Sequence, residues 1–322
     1  MLYCFIREEL EHLRDNDPML IQFRYAKRLG SACLYNQKKE EITDAAGMFI
    51  DVSKQEILLR TSYPYMYEGI RGIQQAGGSP VENESDIRQI ENWVDLQISK
   101  RRIVSFCYDE LYQEEIPEKI EKILRESNWV FVKTRKKGFT AKISTNRLLQ
   151  KDKEIKLFFE MHCPKEDVLF MSEWLDMKRD SLGKKESRHV IWNGKVMNSS
   201  RAVHSIRHTV PQSERYAAEK LAEEISKIKG FPKNYILDIG EFLKDEKLVS
   251  DVVELNPITP AMCYVNNSIF TECVPEAMPV YREMGMGAEY CLDAMEHRER
   301  YTKIKKVGET YTYISDNTFC FL

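Results

Sequence analysis

The alternation of apolar and polar positions along the first hundred residues predicts a small α/β layer. Asp17 and Pro18 are typical of a helix start, and the helical spacing that they open ends at Gly30. Three short β-rich runs follow, at 32–35, 48–52 and 56–60. A second helical pattern ends at Gly77, and a third has Ser85 as its cap. Strands that alternate with helices in this order are typical of an α/β layer.

The middle of the chain has the pattern of antiparallel strands. A helix over Pro117–Ser127 leads to an apolar strand that ends at Lys133, and a basic loop separates that strand from the next. Further strands are predicted in three apolar stretches, IKLFFE (155–160), VLFMSEWL (168–175) and SRHVIWNGKVMNSS (187–200). Within the last stretch, Asn193-Gly194 is a strong signal for a two-residue hairpin turn. A helix over Ser213–Gly230 and two strands, YILDI and LVSDVVELNP, complete the pattern.

Length and composition narrow the class of protein. The chain has 322 residues, enough for about two or three lobes around a cleft. Hydrophobic residues make up 43% and charged residues 31%, which excludes a disordered chain, and the net charge of −3 argues weakly against a general nucleic-acid binder.

The eight cysteines form no CxxC pair. The apolar N-terminal run is too short for a signal peptide and no run could span a bilayer, so we predict a cytoplasmic protein without a membrane partner.

Candidate metal ligands lie in the last two of these strands. Glu254 and Asn256, in DVVELNP, are two residues apart and therefore share one face of a strand. Asp238, in YILDIG, projects from the same face if the two strands pair antiparallel. Two carboxylates and one amide are the oxygen ligands that a hard cation such as Mg²⁺ prefers. The alternative, two solvated carboxylates on an exposed sheet face, stays open on this pattern alone.

Two basic residues are candidates for binding phosphate. Lys133 ends an apolar strand directly before a basic, glycine-containing loop. Arg188 begins another strand, from which a guanidinium can hold phosphate or carboxylate through two parallel hydrogen bonds. A solvated edge lysine and a surface cross-strand arginine are the alternatives. The six histidines fit no HExxH pattern and no GxSxG elbow occurs, so no nucleophile constellation is predicted.

The order of VFVK, SEWL, an ExR strand, ILDIG and VVELNP resembles the ATP-grasp superfamily over roughly residues 56–260. The resemblance implies an α+β fold in which two lobes clasp ATP, preceded by a Rossmann-like α/β pre-ATP-grasp lobe. The implied domains are a first lobe over 1–115, an ATP-grasp domain over 116–260 with lobes 116–175 and 176–260, and an extension over 261–322. Whether that extension closes the cleft, forms a homodimer contact or buttresses the sheet stays open.

The resemblance also implies roles for individual residues. It makes Asp238, Glu254 and Asn256 the ligands of Mg²⁺ or Mn²⁺. The implied ATP-binding residues are Lys133 and Arg188 at the phosphates, Glu173, Trp174 and Leu175 at the hinge near adenine, and Lys137 in the phosphate-covering flap. Arg188 and Lys133 are the implied catalytic residues, and Arg60 and Asn83 are implied at the substrate. The family commonly has a second lysine after that asparagine, where this chain has Arg88 and Gln89, so the α-phosphate contact stays open.

From the resemblance we expect an ATP- and Mg²⁺-dependent ligase that joins a carboxylate to an amine through an acyl phosphate. The expected partners are a small-molecule or peptide substrate and an amine co-substrate, without nucleic acid. An ATP-dependent phosphotransferase on the same fold and a non-catalytic nucleotide-binding module are the alternatives. Neither the carboxylate nor the amine can be read from these residues.

Overall fold

A computed structural model describes residues 1–13, 18–135, 140–165, 167–180, 183–201, 210, 212–244, 246–261 and 318–321. The strands, in chain order, are β1 Leu2–Ile6, β2 Ala32–Asn36, β3 Glu41–Asp44, β4 Glu56–Arg60, β5 Ser79–Pro80, β6 Ile103–Phe106, β7 Trp129–Thr134, β8 Thr140–Ser144, β9 Leu169–Glu173, β10 Asp176–Met177, β11 Arg179–Asp180, β12 Gly183–Lys184, β13 Glu186–Trp192, β14 Lys195–Arg201, β15 Tyr235–Lys244, β16 Lys247–Asn256 and β17 Thr318–Phe321. The α-helices are α1 Arg7–Leu10, α2 Pro18–Arg28, α3 Met66–Gln75, α4 Glu84–Glu91, α5 Glu118–Glu126, α6 Thr145–Leu149, α7 Lys153–His162, α8 Gln212–Ser226 and α9 Ile258–Ala261. Short 3₁₀ helices lie at Tyr63–Tyr65, Trp93–Leu96 and Tyr108–Tyr112.

The described residues group into two compact units. The first unit contains those within Met1–Ile90, Arg179–Gly240 and Val253–Ile304. The second contains those within Glu91–Lys178, Glu241–Val252 and Lys305–Leu322. Strands β15 and β16 therefore contribute residues to both units.

The first sheet of the first unit is built around β1. Its strand order is β3-β2-β1-β4-β5, and β1 runs parallel to both β2 and β4. Tyr3 and Phe5 face one hydrophobic cluster, whereas Cys4 and Ile6 face another, and all four are buried. A parallel strand that is covered on both faces is apolar throughout, which explains the run LYCFI.

The second sheet of the first unit carries the candidate metal ligands. The hairpin β13–β14 turns at Asn193 and Gly194, whose φ angles of 51° and 74° are both left-handed, as a tight hairpin turn requires. Strand β15 pairs with β13 on its other side, so that Arg188 lies directly opposite Asp238. Strand β16 pairs with β15. The predicted hairpin is confirmed.

The sheet of the second unit has the order β17-β8-β7-β9-β6. Val130 and Val132 of β7 point into a hydrophobic cluster with α5 and α7. The alternate residues Trp129, Phe131 and Lys133 point to the opposite face and are half-buried. Strand β7 therefore covers the core with one face and leaves the other face for a ligand or for solvent.

One predicted strand is a helix. IKLFFE (155–160) lies in α7. The N-cap of this helix is Asp152, whose side chain accepts hydrogen bonds from the backbone N–H groups of Glu154 and Ile155. Ile155 and Phe159 are fully buried at a spacing of four residues, and Phe158 is nearly so. The N-cap and this spacing outweigh the β propensity of a short aromatic run.

Two further predictions for the first lobe differ from the structure, and one of its strands was not predicted. The run 48–52 is not a strand: only Phe49 forms a bridge, to Thr43, and its side chain is 77% exposed. The helix α4 is capped by Asn83 instead of Ser85, since Asn83 and Asp86 each accept the other's backbone N–H. The sequence analysis also missed β1, because an N-terminal apolar run was weighed only against a signal peptide.

The last sixty residues are described only in part. Thr318–Phe321 form β17, which pairs with β8 in parallel, while residues 262–317 of the predicted extension lie outside the described residues. Within the described part of the chain, no helix is both long enough and apolar enough to cross a membrane.

Candidate active site

The three predicted metal ligands lie together in the first unit. The Asn256 Nδ2 donates hydrogen bonds to Asp238 Oδ2 and to Glu254 Oε1, each 2.9 Å long. Asp238 is fully buried, Asn256 is 2% exposed and Glu254 is half-buried. We call these three residues the Asp238 cluster. It results from the pairing of β16 with β15 and from the alternation that puts Glu254 and Asn256 on one strand face.

Arg188 contacts the Asp238 cluster through a two-pronged ion pair. Its Nε lies 2.8 Å from Asp238 Oδ1 and its Nη2 lies 2.6 Å from Asp238 Oδ2. Burial acts to lower the pKa of Arg188, but the charges of Asp238 and Glu254 outweigh it and leave this pKa above its usual value. The guanidinium is therefore a fixed positive charge beside the two carboxylates.

The donor set of the Asp238 cluster fits a hard divalent cation better than a soft one. It offers carboxylate and amide oxygens, which are the ligands that hard cations prefer. Elsewhere among the described residues, no group of three or more His, Cys, Asp or Glu side chains is suited to a metal ion. The Asn256 carboxamide directs its NH₂ group at both carboxylates. A cation between those carboxylates would require the opposite orientation of the amide, with its oxygen inward.

In the second unit, Glu173 is held by two cations that the sequence analysis did not identify. The Lys244 Nζ lies 2.8 Å from Glu173 Oε1, and the Arg102 Nη2 lies 2.9 Å from Glu173 Oε2. The backbone N–H of Arg102 also donates to Oε1. Burial acts to raise the pKa of Glu173, but hydrogen bonds from Lys244 and Arg102 outweigh it and lower this pKa below its usual value. We call these three residues the Glu173 cluster.

Lys133 lies on the half-buried face of the sheet in the second unit. It pairs with Thr140 of β8 and Phe170 of β9. Two residue pairs further along β7 and β8, Phe131 lies opposite Lys142, so the two lysines share this face. Lys142, which the sequence analysis did not single out, is a second ammonium group near the position predicted for phosphate.

Two tryptophans surround Lys142. Its Nζ lies 4.8 Å from the ring centroid of Trp129 and 4.4 Å from that of Trp174, which are cation–π distances. The Trp174 Nε1 donates to Asp176 Oδ1 at 2.8 Å. Leu175 is half-buried beside it, and Lys137 lies outside the described residues. Aromatic rings and lysines on one face provide contacts for a base and for phosphate.

The comparisons with known proteins concern the fold. No protein-family model matches the sequence, and no curated protein matches it. Among solved structures, a RimK-domain ATP-grasp protein from Sphaerobacter thermophilus matches with a TM-score of 0.50 and 15% identity, over 91% of this chain and 100% of its own. The D-alanine–D-alanine ligase from Coxiella burnetii gives a TM-score of 0.49 and 13% identity, over 95% of this chain and 98% of its own. The chain has the ATP-grasp fold.

The expected ATP-grasp fold and its α+β class are thereby confirmed. The Rossmann-like character of the first lobe and the domain boundaries at 115 and 260 stay predictions, as do the roles assigned to individual residues. The side-chain contacts show which predicted residues meet: Asp238, Glu254, Asn256 and Arg188 form one group.

The two predicted substrate residues have partners within the protein. Asn83 is the N-cap of α4. Arg60 is fully buried, and its guanidinium donates to Gln22 Oε1 and to the Thr259 carbonyl oxygen. Neighbouring Glu82 is also buried and was missed, because nothing in the sequence PVENES distinguishes it from a solvated turn residue.

Proposed function

We propose that this protein is an ATP- and Mg²⁺-dependent carboxylate–amine ligase that forms an amide through an acyl phosphate. The observation that carries the proposal is the Asp238 cluster with Arg188, in a chain that has the ATP-grasp fold. Two carboxylates that share one buried polar site are a feature of functional sites more than of structural ones. An amino acid or a peptide is the substrate class that the family resemblance favours.

The proposed reaction has two steps. The substrate carboxylate attacks the γ-phosphorus of ATP and ADP leaves; the amine then attacks the acyl carbon and inorganic phosphate leaves, while the amine loses its proton. A divalent cation at the Asp238 cluster supplies charge neutralisation on the phosphates when bound. Arg188 of the first unit would bind and orient the transferred phosphoryl group through fixed positive charge. The protein forms no covalent bond with the substrate.

In this proposal the second unit holds the nucleotide base. Trp174 and Leu175 provide apolar contacts, and Lys133 and Lys137 contact the phosphates. Lys142 shares a sheet face with Lys133 and is the replacement that we propose for the missing second lysine at the α-phosphate. Both Glu173 oxygens already accept hydrogen bonds from Arg102, so a contact between Glu173 and the nucleotide would share those oxygens.

An ADP-release assay tests this function. Purified protein is incubated with ATP, Mg²⁺ and pools of amino acids and peptides, with hydroxylamine added in parallel to trap an acyl phosphate. We expect ADP release that requires an acid and an amine together, formation of a hydroxamate, and loss of both upon chelation of Mg²⁺. A stable phosphorylated product would show a phosphotransferase instead. Tight ATP binding without turnover of any pool would favour the nucleotide-binding module.

A further inference from the structure

The chain segment directly after Asn256 is held by two buried side chains of the first unit. Glu82 accepts hydrogen bonds from the backbone N–H groups of Ile258 at 2.8 Å and of Thr259 at 3.0 Å. Arg60 Nη1 donates to the Thr259 carbonyl oxygen at 3.2 Å. The segment is thus fixed through N–H and C=O groups on consecutive residues.

The Glu82 carboxyl group is costly to bury, which indicates that its contacts serve a purpose. It is 2% exposed, and burial raises its pKa to about 7 against the opposing effect of the bonds from Thr259 and Ile258. An apolar side chain at this position would avoid the desolvation cost, but it could not hold two backbone donors. Burial of Glu82 therefore lowers the stability of the fold, but its hydrogen bonds give the segment that follows β16 a defined path.

That path determines where Asn256 lies. Ile258 is two residues beyond Asn256 and is fully buried in a hydrophobic cluster with Tyr3 and Phe5. Pro257 lies between them and has a restricted φ, so the backbone has little conformational freedom between Asn256 and Ile258. The Asn256 amide in turn bridges Asp238 and Glu254 at 2.9 Å each. A displacement of the backbone at Ile258 would therefore be passed to the amide that joins the two carboxylates.

We propose that Glu82 is a positioning residue for the Asp238 cluster: it fixes the segment that follows Asn256 and so keeps this side chain beside Asp238 and Glu254, at the proposed cation site. The inference rests on the proposed function, because it assumes that the cluster binds the cation. Glu82 acts through the backbone of Ile258 and Thr259 and touches neither the cation nor the nucleotide.

Mn²⁺ titration of purified full-length variants, with and without a non-hydrolysable ATP analogue, tests the inference. Glu82→Gln keeps the volume of the side chain, but its NH₂ group cannot accept from a backbone N–H. We expect its Mn²⁺ affinity to fall about tenfold, the size of effect that residues behind metal ligands usually have. Glu254→Gln, which removes a proposed ligand, should abolish Mn²⁺ binding.

Glu9→Gln is the matched control. Glu9 is another buried carboxyl group of the first unit, 6% exposed, that accepts hydrogen bonds from the Ser62 backbone N–H and the Thr61 hydroxyl. Its substitution costs a comparable pair of bonds away from the segment 257–259, so we expect wild-type Mn²⁺ affinity. If Glu82→Gln does not fold, Glu82→Asp keeps the charge with a shorter reach, and a several-fold loss of affinity is expected.

The outcomes separate the inference from the function on which it rests. If the wild type binds Mn²⁺, Glu254→Gln does not, and Glu82→Gln behaves like the wild type or like Glu9→Gln, the positioning role is wrong while the metal site stands. If the wild type and Glu254→Gln bind Mn²⁺ equally weakly, the metal site itself is rejected, and the positioning role with it. Reduced affinity in Glu82→Gln but not in Glu9→Gln supports both.

Discussion

The two units place their buried carboxylates in opposite electrostatic settings. In the first unit, Asp238 and Glu254 converge on one amide, that of Asn256, and the charges of both act on Arg188. In the second unit, two cations converge on one carboxylate, Glu173. The first arrangement concentrates negative charge, whereas the second neutralises it.

In our proposal, this difference separates the site that binds a cation from a cluster that stabilises the fold. Like charges held near each other raise the energy of the protein unless a cation joins them, so such an arrangement is retained where a cation binds. A carboxylate already matched by an arginine and a lysine has little to gain from another cation. We therefore expect substitutions in the Asp238 cluster to affect chemistry and substitutions in the Glu173 cluster to affect stability.

The largest expected effect is on turnover in Glu254→Gln. The substitution removes a charged cation ligand at nearly constant volume and should lower Mg²⁺-dependent ADP release roughly 100-fold or more, about 3 kcal/mol of activation free energy. Steady-state kinetics at saturating ATP measures it. Glu223→Gln, an exposed residue of α8 paired with Lys227, is the control and should turn over at the wild-type rate. Wild-type activity in Glu254→Gln would refute the metal site.

Glu82 sharpens the comparison through its pH dependence. Its pKa is raised from 4.5 to about 7, so between these values the folded protein holds a proton that the unfolded chain has released. The free energy of unfolding therefore falls as the pH rises through this window, by up to about 3 kcal/mol. Urea unfolding at pH 5 and pH 7 should show about 2 kcal/mol of this loss in the wild type and none of it in Glu82→Gln. Equal pH slopes in both proteins would contradict it.

The sequence alone predicted that the three side chains of the Asp238 cluster lie together, because their contact depends on strand alternation. The spacing of Glu254 and Asn256 fixes their common face, and one strand pairing brings Asp238 to them. The sequence could not predict contacts between residues that lie far apart in the chain. Glu82 meets Ile258 across 176 positions and Lys244 meets Glu173 across 71. Glu82 and Lys244 lie in polar stretches of the sequence, so their burial and their partners can be seen only in the folded structure.

The same contrast explains which elements were predicted correctly. The hairpin at Asn193-Gly194 was predicted because a two-residue turn with left-handed φ is a local requirement. The helix α7 was predicted as a strand because its five apolar and aromatic residues fit the spacing of a helix as well as that of a strand. The residue that decides for the helix, its N-cap Asp152, lies before the apolar run. Strand β1 was missed because its short apolar run was compared only with a signal peptide, and not with a strand that is buried on both faces.

Arg188→Met tests whether the arginine and the divalent cation compete for Asp238. Without the guanidinium, the two carboxylates lack the nearest positive charge that now offsets their repulsion, so Mn²⁺ should bind at least about tenfold tighter in the absence of nucleotide. Turnover should fall nonetheless, because the phosphoryl group loses a fixed positive charge. Calorimetric titration with Mn²⁺ alone measures the first effect. Weaker Mn²⁺ binding would mean that Arg188 supports the site instead of competing for it.

The smallest effect is expected in the Glu173 cluster and has the opposite pH dependence to that of Glu82. Glu173→Gln leaves Arg102 and Lys244 without this counter-charge. Because their side chains are 35% and 30% exposed, water screens the lost interaction. We therefore expect the free energy of unfolding at pH 7 to fall by about 1 kcal/mol. The pKa of Glu173 is lowered from 4.5, so its contribution is present above that pH and is lost as the pH falls below it. The stability difference between wild type and Glu173→Gln, measured by urea unfolding, should therefore shrink from pH 7 to pH 3. A difference that persists at pH 3 would show that packing, and not charge, is what Glu173 contributes.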